Sequence, residues 1–489
     1  MRLRRILFVI GTVLCMTALS GCAKGAEETD VTGEERAPLS VETPAYLPRA
    51  LIDRNGYGTG AEKIVFFLCE DAGDSFEVRS EADGATVYTG NIRHADSGMY
   101  YGQFSSFQTE GTYYIYTDVT GASYPFRIGA DVATNEAHRA LRSLYAHRCG
   151  MMRDGAGGVA QQACHGERAT IASDPTAVTD VSGGWHTDGA GNRDVVASCH
   201  ALRDLLLSYE ISPEAHDDAA SLPYSGNGVP DVLDEALFEI TWLLKMQSDD
   251  GSVSAGVEVQ EDGSLTLLAS SAAATAAFTD VCARFSYLYE PFDAGAGASV
   301  FSSAVDAWNA YGRMATPRLE PAAFAAAAEL YRITGDRRYE TVLSAFFNRE
   351  DFSDLLENNT EIFFGSATYL VTTQPVNVTV RQTIRNTLTT HAERMANRAQ
   401  DAAYLVTDAQ PEEILDDMRR LAYANHMAYR YSYVTVMENH LHFLGGRNEE
   451  RINYMQEPDD AAFGYEGAGA PVLYPESCAS VLLIMYAVL

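Results

Sequence analysis

Residues 230–247, PDVLDEALFEITWLLKMQ, read as one amphipathic helix. Leu233, Ala236, Leu237, Ile240, Leu243 and Leu244 recur at three- and four-residue intervals and form a single stripe, which is the period of an α-helix with one buried face. Pro230 and Asp231 supply its start, because proline's fixed φ suits a first turn and an acid complements the positive end of the helix. Similar stripes run through Cys199–Tyr209, Ala322–Ile333, Met395–Leu405, Pro411–Tyr423 and Met427–Leu444. Helix follows helix from about Asp131 with no convincing strands between, so residues 131–489 are expected to be all-α. A closed ring of helical hairpins and a solenoid both bury such faces, and no fixed-length internal repeat singles out a solenoid.

Upstream the period changes. Between residues 44 and 130 short β-rich runs appear at Ile64–Leu68, Phe76–Val78, Thr86–Thr89, Thr112–Thr117 and Tyr124–Ile128, separated by turn formers such as Asp71-Ala72-Gly73-Asp74. A small antiparallel β-sandwich is the simplest arrangement. Residues 1–21 carry Arg2, Arg4 and Arg5 ahead of an apolar stretch, Ile6–Leu19, too short for a comfortable membrane span. Leu19-Ser20-Gly21-Cys22 resembles a bacterial lipobox, so export and lipidation at Cys22 are expected. Residues 22–43 are acidic and poor in large apolar residues, the composition of a tether.

The chain has 489 residues and 35 basic against 67 acidic side chains, a net charge of −32. So acidic a surface repels phosphate backbones and excludes nucleic acid as a partner. A hydrophobic fraction of 46% excludes a mostly disordered chain.

Several segments together resemble the bacterial cellulases of glycoside hydrolase family 9 and their N-terminal immunoglobulin-like domain. They are Gly111-Thr112-Tyr113-Tyr114-Ile115, Tyr124-Pro125-Phe126-Arg127-Ile128, Arg148-Cys149-Gly150, Ala163-Cys164-His165, GGWHTDGAGNRDVV at 183–196, Gly226–Glu235, Ala327–Tyr331 and Leu444–Asn448. The resemblance implies a multidomain protein, an Ig-like β-sandwich followed by an (α/α)6 barrel with a substrate cleft across one end. It also implies hydrolysis of β-1,4-glucosidic bonds in plant polysaccharide with inversion. That chemistry needs a carboxylic acid to protonate the leaving oxygen and a carboxylate to activate water, about 6.5–9.5 Å apart.

The chain departs from the family pattern at those groups. Where relatives carry Asp-Ala-Gly-Asp, this chain reads Thr187-Asp188-Gly189-Ala190, so both base positions are replaced and Asp188 is the displaced candidate. The family's sugar-gripping His-x-Arg loop is missing, since no histidine follows His442. Glu476 matches the catalytic acid, while Gly467 stands where relatives place an Asp nine residues before it. Loss of a positioned base costs about 10²–10⁴ in rate, so activity is expected to be weakened or lost. The alternatives on the same fold are a glycan-binding protein without catalysis and a cell-surface interaction protein.

Cys149, Cys164, His165 and His186 offer two thiolates and two imidazoles, a complete tetrahedral set for zinc. The resemblance implies a structural zinc at the matching segments; a Cys149–Cys164 disulfide is the rival in an exported chain. The loop Ser225–Glu235, with Asn227, Asp231, Asp234 and Glu235, holds oxygen donors suited to calcium, or equally to helix capping. Cys69, Cys199, Cys282 and Cys478 read as small core residues. Among aromatics, Trp242 and Trp308 fall in helical stripes, Trp185 is expected to face ligand, and Tyr465 and Tyr474 to flank Glu476.

Overall fold

The computed structural model describes residues 47–488 apart from 96, 151–152, 155–159, 162–163, 165, 315–319, 409 and 456–474. Cys22, His165, Tyr465, Gly467 and Tyr474 therefore lie outside the described residues.

Eight strands open the fold: β1 (Ala50–Leu51), β2 (Ile64–Phe67), β3 (Ser75–Ser80), β4 (Thr86–His94), β5 (Tyr100–Gln103), β6 (Gly111–Thr117), β7 (Gly121–Ala122) and β8 (Phe126–Ile128). They run in the order β1-β2-β5-β4-β3-β6-β7, with β8 also on β6. Strand β4 changes partner along its length, pairing with β3 from Thr86 to Asn91 and with β5 from Ile92 to His94. It thereby joins two layers into a sandwich. In β6 the alternation drives Tyr113 and Ile115 inward, against Phe67, Phe76, Phe104 and Phe126.

Thirteen helices follow among the described residues: α1 (Val132–Ala146), α2 (Val195–Ile211), α3 (Asp231–Met246), α4 (Ala272–Tyr289), α5 (Ala294–Met314), α6 (Pro321–Thr334), α7 (Arg337–Phe347), α8 (Phe352–Asn358), α9 (Thr360–Val371), α10 (Val378–Asp401), α11 (Pro411–Met427), α12 (Tyr431–Leu444) and α13 (Pro475–Val488). Helices α2, α4, α6, α9, α11 and α13 each pack on the next and close an inner ring. Their sequences explain the position: α4 and α6 are Ala-rich and buried on nearly every face, whereas α7 and α10, in the outer layer, bury only a narrow stripe. Helices α1, α3, α5, α7, α10 and α12 form that outer layer, so the barrel is (α/α)6.

Two expectations need correction. Residues 131–489 are not free of strands. Strands β9 (Arg153–Asp154) and β10 (Ala160–Gln161) pair with each other, and β11 (Arg168–Ile171), β12 (Asp174–Asp180), β13 (Arg193–Asp194), β14 (Gly256–Val259) and β15 (Leu265–Leu267) make a five-stranded sheet. These strands are two to seven residues long and lie within interhelical loops, too short to impose a visible alternation. The stripe Met395–Leu405 is likewise the end of α10, which stops at Asp401, and Tyr404 and Leu405 take φ of 58° and 60°.

The centre of the ring is filled by charge. Arg203 pairs with Asp280 at 2.5 Å, Arg284 with Glu210 and Glu329 at 2.7 and 2.9 Å, Arg332 with Glu210 at 2.5 Å, and Arg419 with Asp204 at 2.6 Å. The guanidiniums of Arg203, Arg284 and Arg419 all lie within 5.9 Å of the Phe364 ring. This plug leaves a ligand only the rims, and the first turns of the inner helices meet at one of them.

The sandwich docks on the barrel through Asp53, which accepts from His442 at 2.7 Å, and through Arg54 N–H to Gly445 O at 2.9 Å. A Cβ at Gly445 would stand 2.1 Å from Asp53 Oδ1, so only glycine admits this approach.

Candidate functional site

The rim at the N-terminal ends of α2, α9, α11 and α13 holds a pocket of 420 Å³ lined by His200, Asn359, Glu361, Asp416, Arg419 and Glu476 among others. Glu476 lies in the first turn of α13, with its side chain about half exposed. His200 Nδ1 stands 3.2 Å from Glu476 Oε1, and His200 Nε2 stands 3.4 Å from Glu361 Oε1. The imidazole thus bridges carboxylates from opposite sides of the pocket.

The bridge sets the charges. Burial pushes the Glu476 carboxyl up, but the hydrogen bond and charge of His200 outweigh it and hold the group below the ordinary carboxylate value. The His200 ring 3.4 Å away, with the charge of Arg203 beside it, takes Glu361 down to about 2 despite partial burial. Burial opposes charge on His200, and the two carboxylates overcome it, so the imidazole is raised. A general acid must carry its proton at working pH. The contact with His200 favours the charged form of Glu476.

Asp188 is not poised as a base. Its Oδ1 accepts from Ala190 N and Asn192 N at 3.0 Å, and its Oδ2 accepts from Asn192 Nδ2 at 2.7 Å. The carboxylate closes its own loop, the usual work of an aspartate in an Asx turn. Thr187 is tied into the same loop, accepting from Asp194 N at 3.0 Å.

Trp185 does not face a ligand. It is fully buried and donates from Nε1 to Glu235 Oε1 at 2.8 Å, while Glu235 also pairs with Arg148 at 2.9 Å. The loop reaches this depth because Gly183 and Gly184 take φ of 94° and 81°, and a Cβ on Gly184 would meet the Trp242 ring at 2.5 Å. The ion pair with Arg148 also removes Glu235 from any calcium set. Asp231 is taken by Ala220 N and Ser225 Oγ, and Asn227 donates to Asp234 at 2.8 Å. Asp231 and Asp234 sit in the first turn of α3, where the macrodipole favours acids, and no side chain caps that turn.

Beneath the loop, Glu239 is fully buried beside Ser198 and the Trp185 backbone without a hydrogen bond of good geometry to either. Burial raises its carboxyl to about 8.

The Cys/His cluster assembles through backbone pairing of residues 147–149 with 184–186: Cys149 N donates to Gly184 O at 2.8 Å and His186 N to His147 O at 2.9 Å. Cys149 Sγ and Cys164 Sγ stand 3.9 Å apart, and Cys164 Sγ stands 3.5 Å from His186 Nε2. The three ligand atoms lie within 4.8 Å of one another. A tetrahedral zinc with bonds of about 2.3 Å to sulfur and about 2.0–2.1 Å to nitrogen has edges of roughly 3.8 and 3.5 Å. The sulfurs are far beyond the ~2.05 Å of a disulfide, so the set fits a metal.

Residues 134–460 match the family described as glycosyl hydrolase family 9, and residues 47–122 match the cellulase N-terminal ig-like domain. The chain belongs to glycosyl hydrolase family 9. The family match ends before Glu476. Endoglucanase D of Acetivibrio thermocellus is 25% identical over 448 residues, covering 80% of this chain and 71% of that relative. A metagenome-derived glycoside hydrolase family 9 endoglucanase superposes with a TM-score of 0.79 at 20% identity, over 90% of this chain and 99% of that one. A Zn-binding triple mutant of the family 9 endoglucanase J30 gives a TM-score of 0.72 at 22% identity, over 88% and 99% of the two chains. The last two likenesses speak for the fold.

The structure places Glu476 on the rim pocket and brings Cys149, Cys164 and His186 together, and it adds His200, Glu361 and Arg419, which sequence reading did not single out. Those three sit at ordinary positions within helices, and only ring closure brings them to Glu476.

Proposed function

We propose that this family 9 chain is an exported, lipid-anchored protein that engages β-1,4-glucan and hydrolyses it weakly or not at all. The carrying observation is the rim itself: His200 stands 3.2 Å from Glu476 and favours its charged form, and Thr187 and Ala190 stand where relatives carry the base pair. Inversion needs a protonated acid and a water-activating base together, and the His200 contact at Glu476 with the replacement of the base positions supports weak or absent turnover. Support for the glucan comes from family membership and from the endoglucanase relative. Anchoring through Cys22 rests on the lipobox-like sequence.

Zinc is proposed at Cys149, Cys164 and His186, with His165 as the fourth ligand. Bound there it supplies folding energy and no chemistry, because four protein ligands close the site to water. The residues themselves tie the end of α1 to the loop that precedes α2.

The test is retention and release on one panel of soluble and swollen β-glucans. Retained glucan with little sugar release supports the reading. A folded chain that neither retains nor cleaves any member overturns it in favour of a protein-interaction role.

A further inference from the structure

A second pocket, of 530 Å³, lies on the sandwich, far in sequence from the rim residues. It is bounded by β4, the end of β5 and the loop before β2 on one side, and by Tyr431, the first residue of α12, on the other. Its size falls within the roughly 300–1,000 Å³ of ligand sites. Tyr431 is 68% exposed, a large aromatic surface left in water, and the half-buried Tyr88 stands in the same wall with its hydroxyl 3.3 Å from Ser106 Oγ.

The remaining wall carries planar polar groups: Asn91 and Arg93 from β4, Gln103 from β5, and Glu62. Gln103 Nε2 donates to Glu62 Oε1 at 3.3 Å, which fixes both planes. Asn91 and Arg93 are exposed, and among the described residues neither side chain is spent on an ion pair or hydrogen bond. A sugar ring presents a C–H face, which stacks on an aromatic ring, and an edge of paired hydroxyls, which planar amides, guanidiniums and carboxylates bind in their own plane. One positive and one negative side chain together favour a neutral ligand over an ion. We propose that this groove is a second glycan-binding site, which holds a neutral β-glucan chain on the Ig-like domain independently of the rim. The choice of β-glucan rests on the function proposed above; the groove's claim to a neutral sugar does not.

The test is calorimetric titration of the full chain with cellohexaose in a Glu476→Gln background, which keeps the probe intact. Tyr431→Ala and Arg93→Ala are each expected to weaken one of two binding events at least tenfold and leave the other unchanged, with Tyr431→Phe close to the parent and far-ultraviolet circular dichroism unchanged. Unchanged affinity in both variants, loss of affinity only on His200→Ala, or no cellohexaose binding at all overturns the proposal. Sugar release does not enter this readout. Failure at Tyr431 with binding retained at His200 therefore leaves the rim reading standing, and the converse result removes the rim and keeps the groove.

Discussion

His200 Nδ1 stands 3.2 Å from the Glu476 carboxylate, and the same ring stands 3.4 Å from Glu361. One imidazole thereby holds the carboxylate at the head of α13 and favours its charged form. His200 comes from the second turn of α2 and Glu476 from the first turn of α13, so the contact exists only because the ring closes.

Replacing His200 should release that hold. In His200→Gln the Glu476 carboxyl is expected to titrate at higher pH than in the parent, followed by carbon-13 NMR of labelled glutamate. The raised folded-state value of His200 makes its contribution to stability complete at low pH and lost as pH rises through that value. The variant should lack this loss. A Glu476 titration that does not move would show that His200 does not control it.

Glu239 gives a second pH dependence of the same sign. Its carboxyl is raised to about 8 by burial, so the folded chain keeps a proton that the unfolded chain releases near its ordinary value. Stability should fall between about pH 4.5 and 8, by a few kcal/mol. Glu239→Gln should flatten that decline in thermal melts recorded across the range. A parallel decline in the variant would contradict the assignment.

The Cys/His cluster predicts about one zinc per chain by elemental analysis of the purified protein. Chelation should lower the melting temperature, and Cys149→Ser should lower both zinc content and melting temperature. A metal-free chain whose mass is two hydrogens short at Cys149 and Cys164 would instead indicate the disulfide.

The barrel plug predicts a large stability penalty at Arg419, which also lines the rim pocket. Asp204 is fully buried and accepts from Arg419 at 2.6 and 2.7 Å and from Ser480 at 2.5 Å. Arg419→Met strands that carboxylate and should cost about 3–5 kcal/mol in denaturant unfolding. The double variant Arg419→Met with Asp204→Leu should recover much of the loss.

The helices were legible because a buried face repeats every 3.6 residues, as Leu233 to Leu244 show. Their closure into a ring came from the family resemblance alone, because no local pattern distinguishes a ring from a solenoid. The small sheet of β11 to β15 was hidden by its short strands. Cys149 and His186 were reached through the family resemblance, since two thiols and two imidazoles so widely spaced are a weak mark by themselves. Trp185 was misplaced because a tryptophan beside a catalytic-type loop has no sequence mark of its burial against Glu235 and Trp242. His200 was invisible for the opposite reason: its partners, Glu361 and Glu476, are 161 and 276 residues away in sequence, and nothing local records them.

The most direct measurement is the turnover number of the parent chain on the β-glucan panel beside Glu476→Ala. On the proposed reading the two should agree within about tenfold and lie at least 10² below the ordinary enzymic value of about 10 s⁻¹. Parent turnover near that ordinary value, abolished in Glu476→Ala, would contradict the account and identify Glu476 as a working acid despite His200.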